Sequence, residues 1–123
     1  MQLIEKVIYF GYKIAEDYPP VDIYETDTAY FIIFDLAGVQ RQNIILKICD
    51  ENLIIMGTRG KRVQFDYIIW HCKELHSDNF QRRIPLPEDI EPSQAEAFYK
   101  DGELKVKIPK KSKRVYKIEI KGE

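Results

Sequence analysis

Cys72, Glu74 and His76 stand at every second position, the spacing that would set a thiolate, a carboxylate and an imidazole on one face of an extended strand, where a divalent metal could collect them. A rim of polar side chains explains the trio equally well. His71 and His76 are the only histidines, and no Cys-x-x-Cys or His-x-x-x-His pair completes a site. His71 beside Cys72 is a poor nucleophile pair, because adjacent strand residues point to opposite faces. Neither G-x-x-x-x-G-K-[ST] nor G-x-G-x-x-G occurs, and six glycines are too few for a phosphate cradle. The sequence therefore leads us to expect no metal, no cofactor and no enzyme, and any work the chain does should run without ATP.

Lys105, Lys107, Lys110, Lys111, Lys113, Arg114 and Lys117 form a basic tract, but Glu103 and Glu119 flank it and no aromatic platform interleaves with it. A solvated linker is the better reading than a nucleic-acid contact. Charge as a whole agrees: 19 Lys and Arg against 20 Asp and Glu leave no field to recruit nucleic acid or anionic lipid. No apolar run approaches the ~18 residues that would span a membrane. Two cysteines and an opening Met1-Gln2-Leu3-Ile4-Glu5 without signal-peptide architecture point to the reducing cytoplasm.

At 123 residues, 45% apolar and 32% charged, the chain has the size and composition of one globular domain. Residues 1–18 carry Leu3, Ile4, Val7, Ile8, Tyr12, Ile14 and Ala15 at helical spacing, which predicts a short amphipathic helix. Pro19-Pro20 ends it. Eight runs of strand character follow: Val21 to Glu25, Tyr30 to Leu36, Ile44 to Cys49, Leu53 to Thr58, Tyr67 to Lys73, Phe80 to Leu86, Ala95 to Tyr99 and Glu103 to Ile108. Short strands at this spacing, separated by turn formers, predict an all-β antiparallel sandwich over 19–109. Asp101-Gly102 is the clearest hairpin turn. Pro85 removes an amide donor, so its strand should lie at an edge or pair on one side only there. Residues 110–123 form a charged extension ending in the alternating pair Ile118 and Ile120.

Five segments, in order, carry a resemblance. Pro19-Pro20-Val21-Asp22-Ile23-Tyr24-Glu25 with Asp35-Leu36-Ala37-Gly38, then Leu53-Ile54-Ile55-Met56-Gly57, then Phe80-Gln81-Arg82-Arg83-Ile84-Pro85-Leu86-Pro87, then Ala97-Phe98-Tyr99-Lys100-Asp101-Gly102-Glu103-Leu104, and last Ile118-Glu119-Ile120 match the motifs of small heat-shock proteins. The chain thus resembles a protein with an immunoglobulin-like alpha-crystallin domain. It departs from the pattern at Glu103, Phe98 and Asp78, and its N-terminal arm is short for the family.

The resemblance implies a stress-response holdase: an ATP-independent chaperone that binds unfolding client proteins through apolar surfaces and assembles with itself as a dimer and larger homo-oligomer. Its tail, Ile118 and Ile120, is expected in a neighbouring subunit's groove at Leu46, Ile48, Ala95 and Ala97. The dimer interface would involve Val21, Ile23, Phe65, Tyr67 and Arg82, with the alternating stretch Lys61 to Ile69 reaching across to the partner's early strand. Arg82 would meet an acidic group there. The arm residues Leu3, Ile4, Val7 and Ile8 would meet clients. The alternative is a monomeric CS-domain-type co-chaperone or protein-interaction module. Such a module lacks both the swapped loop and the tail.

Overall fold

The computed structural model describes residues 18–60, 63–75, 79–112 and 116–123. Among these, seven strands form: β1 (Val21–Glu25), β2 (Ala29–Asp35), β3 (Ile44–Cys49), β4 (Asn52–Thr58), β5 (Asn79–Pro85), β6 (Glu96–Lys100) and β7 (Glu103–Pro109). Every pairing is antiparallel. One sheet has the order β1-β2-β7-β6 and the other β3-β4-β5. Each of seven predicted runs became a strand, with bounds shifted by a residue or so. The expected all-β sandwich is what the chain forms, while the predicted N-terminal helix, and with it Leu3, Ile4, Val7 and Ile8, lies outside the described residues.

Alternation explains why these segments are strands and which face they bury. Along β7, Leu104, Val106 and Ile108 are buried while Glu103, Lys105 and Lys107 are exposed. They meet Ile32 and Phe34 of β2, Leu53 and Ile55 of β4, and Phe80 and Ile84 of β5 in one core, closed by Leu36, Val39 and Ile90. A two-faced sheet needs this period of two, and a slip of one residue would turn the whole set outward.

The turns follow from backbone chemistry. Asp101 and Gly102, at φ +52° and +76°, make the two-residue primed turn between β6 and β7. A side chain at position 102 would also run into the backbone of Ala37 at 2.9 Å. Between β3 and β4 the same turn is built from Asp50 (φ +48°) and Glu51 (φ +65°), residues that pay for a left-handed backbone where glycine would not.

The eighth predicted strand is absent. Among the described residues Tyr67 to Lys73 forms no strand, and Phe65, Tyr67, Ile68, Ile69, Trp70 and Leu75 are all exposed. Strand propensity cannot be realised by one segment alone, since its amides and carbonyls need a neighbouring strand. Pro85 falls where the expectation put it: β5 pairs only with β4, and Pro85 is its last residue.

Candidate functional site

The described surface offers edges and loops. β1 and β6 are the edges of one sheet, β3 and β5 those of the other. Arg82 Nη1 of β5 donates to the Pro19 carbonyl at 2.8 Å, and Tyr18 meets Phe80 edge-on with ring centroids 5.5 Å apart. These contacts place the β1 and β5 edges on one flank of the sandwich. The β3 and β6 edges therefore share the other.

On that second flank Leu46 and Ile48 of β3 point inward yet stay half-buried, as does Ala95 just before β6, and Ala97 is exposed despite facing the core side. Their incomplete burial follows from position, since no further strand covers them. The four residues expected to receive the tail thus sit on two edges of one flank. Ile118 and Ile120 are 84% and 94% exposed and belong to no strand of their own sandwich. The tail is thus not an eighth strand of its own domain.

On the first flank Val21 and Ile23 of the β1 edge pack half-buried against the core, whereas Phe65 and Tyr67 stand away from it at 79% and 81% exposure. Within one chain the structure does not bring Phe65 and Tyr67 to the β1 edge. Arg82 lies on the inner-face parity of β5, opposite Ile55, and reaches the backbone that leads into β1.

Sequence reading missed two constellations. In the first, the Tyr99 hydroxyl on β6 bridges the carbonyls of Leu36 (2.8 Å) and Val39 (2.6 Å), while the Leu36 amide donates to Gly102 at 2.6 Å. Two of the motif segments quoted above therefore form one clasp. Burial, and then the nearby Asp35 carboxylate, pushes the Tyr99 ionisation upward. In the second, Lys110 Nζ reaches Glu25 at 2.7 Å and lies over the Tyr30 ring, whose hydroxyl donates to Asp89 at 2.9 Å. Burial and that hydrogen bond push the Tyr30 phenol upward too. The Lys110 and Lys111 amides donate to Thr28 and Asp89 carbonyls. Lys110, expected in a solvated linker, instead pins the point where the C-terminal extension leaves the sandwich. No spacing in the sequence signals either contact, because the partners are tens of residues apart.

The metal reading loses its premise. Cys72 and Glu74 lie on an exposed segment without strand geometry, and His76 is outside the described residues. The basic tract is not one patch either: Lys105 and Lys107 project from β7, Lys110 is paired, Lys111 and Lys117 are exposed, and Lys113 and Arg114 lie outside the described residues. Among the described residues no helix is long and apolar enough to cross a membrane.

Residues 22–121 match the Hsp20/alpha crystallin family model. The chain is 33% identical over 105 residues to small heat shock protein C2 of Rickettsia felis and 36% identical over 103 residues to small heat shock protein C4 of the same organism. These matches take in 85% and 83% of the chain and span 68% and 63% of those relatives' lengths. Among solved structures, a small heat-shock protein from Xylella fastidiosa superposes with a TM-score of 0.75 at 25% identity, covering 89% of this chain and all of that one.

Proposed function

Because the chain belongs to the Hsp20/alpha crystallin family, and its small heat shock protein relatives support a chaperone role, we propose that it is a cytoplasmic, ATP-independent holdase that makes and breaks no covalent bond. Unfolding proteins are held through apolar surfaces, and their aggregation is prevented until other chaperones act. Reversible apolar association is sufficient for this, and it strengthens on warming from low temperature.

The single observation that carries the reading is the exposed apolar load. Phe65, Tyr67, Ile68, Ile69, Trp70, Leu75, Tyr116, Ile118 and Ile120 are all solvent-facing in the isolated chain. Single exposed apolar residues are ordinary, but two contiguous stretches of them call for partners. In the proposed assembly the stretch around Phe65 and Tyr67 pairs with a partner's β1 edge at Val21 and Ile23, close to Arg82. Ile118 and Ile120 enter the flank of another subunit at Leu46, Ile48, Ala95 and Ala97. Leu3, Ile4, Val7 and Ile8 meet clients.

Burying two isoleucines is worth about 3–6 kcal/mol gross, before the costs of ordering the tail and of association. One tail is therefore a weak latch, and several in a closed assembly hold because later contacts become intramolecular. The test compares the intact chain with Ile118→Ala/Ile120→Ala by light scattering and by suppression of a model client's heat aggregation. The intact chain should run as a large oligomer and the variant as a dimer. A monomeric intact chain, or a variant of unchanged size, would count against the assembly.

A further inference from the structure

We infer that β6 is a second self-association edge, pairing antiparallel with the β6 of another copy about a two-fold axis through Phe98. Among the described residues β6 is a free, unbulged edge without proline, and Phe98 at its centre points outward with 63% of its surface exposed. Centring the pair on Phe98 sets Glu96 opposite Lys100 of the second copy and Lys100 opposite its Glu96. Ala97 then faces Tyr99 in both directions.

Charge continues this pattern into each chain. Within one copy Glu96 lies opposite Lys107 and Lys100 opposite Glu103. The joined sheet would therefore carry, twice, the row Lys107, Glu96, Lys100 and Glu103, alternating in sign across four strands with the interface between its two central members. Opposite charges directly across a ladder stabilise it, and like charges oppose it. No other edge has this property. β1 carries only the acids Asp22 and Glu25, β3 only Lys47, and β5 only Arg82 and Arg83.

Backbone geometry agrees with the same register. Lys100 and Glu103 flank the two-residue turn and so form a hydrogen-bonded pair; by alternation Glu96 and Phe98 also direct their amides and carbonyls at β7. Ala97 and Tyr99 direct theirs at the free edge. In the two-fold pairing these are the residues that face each other, giving four interchain hydrogen bonds. Phe98 faces Phe98 across a non-hydrogen-bonded position, where side chains approach most closely. An isologous edge of this kind closes as a dimer and does not propagate. Because Ala97 also belongs to the proposed tail groove, pairing and tail docking would exclude each other; that consequence rests on the tail reading, whereas the pairing itself does not.

The experiment is disulfide trapping of the full chain carrying Cys49→Ser and Cys72→Ser with Phe98→Cys. Across a two-fold non-hydrogen-bonded pair the Cα atoms lie about 4.5 Å apart, within the range of about 4.4–6.8 Å that a disulfide bridges. Mild oxidation with diamide should give a covalent dimer, in higher yield when Ile118→Ala/Ile120→Ala is added. Adding Glu96→Lys should lower the yield about fivefold or more, and reversing the whole row with Glu96→Lys/Lys100→Glu/Glu103→Lys/Lys107→Glu should recover it, with circular dichroism unchanged throughout. No covalent dimer in either tail background, or equal yields in all charge variants, would overturn the pairing. A dimer that forms while the tail variant keeps the intact size would sink the tail reading and leave this one standing.

Discussion

Tyr99 pins the turn that follows β2, through hydrogen bonds to the carbonyls of Val39 and Leu36, 60 and 63 positions away from it. Replacing it with phenylalanine keeps the ring and strands both acceptors, so Tyr99→Phe should cost about 1–2 kcal/mol in urea denaturation at neutral pH. The alkaline limb separates this from a packing effect. The folded phenol ionises above its ordinary value, chiefly because it is buried. Its stabilisation is thus complete below the unfolded value of about 10 and is lost as pH rises through the folded one. The gap between Tyr99 and Tyr99→Phe proteins should accordingly narrow above about pH 10. At the β3–β4 turn the opposite change is expected to help. Glu51 sits at φ +65°, so Glu51→Gly relieves a left-handed penalty of about 1–2 kcal/mol and repays part of it in unfolded-chain entropy. A net gain of about 0.5–1 kcal/mol in the same assay is the expected outcome.

The elements differ in how their edges are protected. β5 is blunted by Pro85 and two arginines, β1 follows Pro19-Pro20, and β6 has no proline and carries one charge of each sign, Glu96 and Lys100. The exposed segment before β5 contains the only tryptophan, Trp70, which is half exposed with Lys73 over its ring at 5.7 Å. Should that segment pair with a second chain, Trp70 would leave water on assembly. Its emission should then shift to the blue as protein concentration rises and to the red on dilution. Emission independent of concentration, at the wavelength of an exposed indole, would speak against a paired segment.

For the whole molecule, stability rests on a core shared by both sheets, while the proposed tail, Ile118 and Ile120, lies exposed outside it. Phe34 is fully buried at the centre of that core, between β1 and β7. Phe34→Ala should cost about 3–5 kcal/mol, a large share of the roughly 5–15 kcal/mol available to a domain, and thermal unfolding should show a markedly lowered midpoint. Ile118→Ala/Ile120→Ala removes side chains that are largely exposed in their own chain, so it should leave that midpoint nearly unchanged in the dissociated chain. Fold and assembly are in this sense separable by mutation.

Alternation and turn chemistry are local, and the sequence by itself determined what depends on them: seven strands, their buried faces, the Asp101-Gly102 hairpin, the single-sided pairing at Pro85 and the exposed apolar pair at Ile118 and Ile120. A period of two or a positive φ is written in a few neighbouring residues. Hydrogen-bond partners across a sheet are not, and only the tertiary structure decided those. Tyr67 to Lys73 has strand composition but forms no strand among the described residues, which removes the face on which Cys72 and Glu74 were to meet. Lys110 looked like linker and became an anchor because Glu25 and Tyr30 fold back to it. Likewise Phe98 was one departure from a motif until the sheet order left β6 at an edge, with opposite charges two residues on either side.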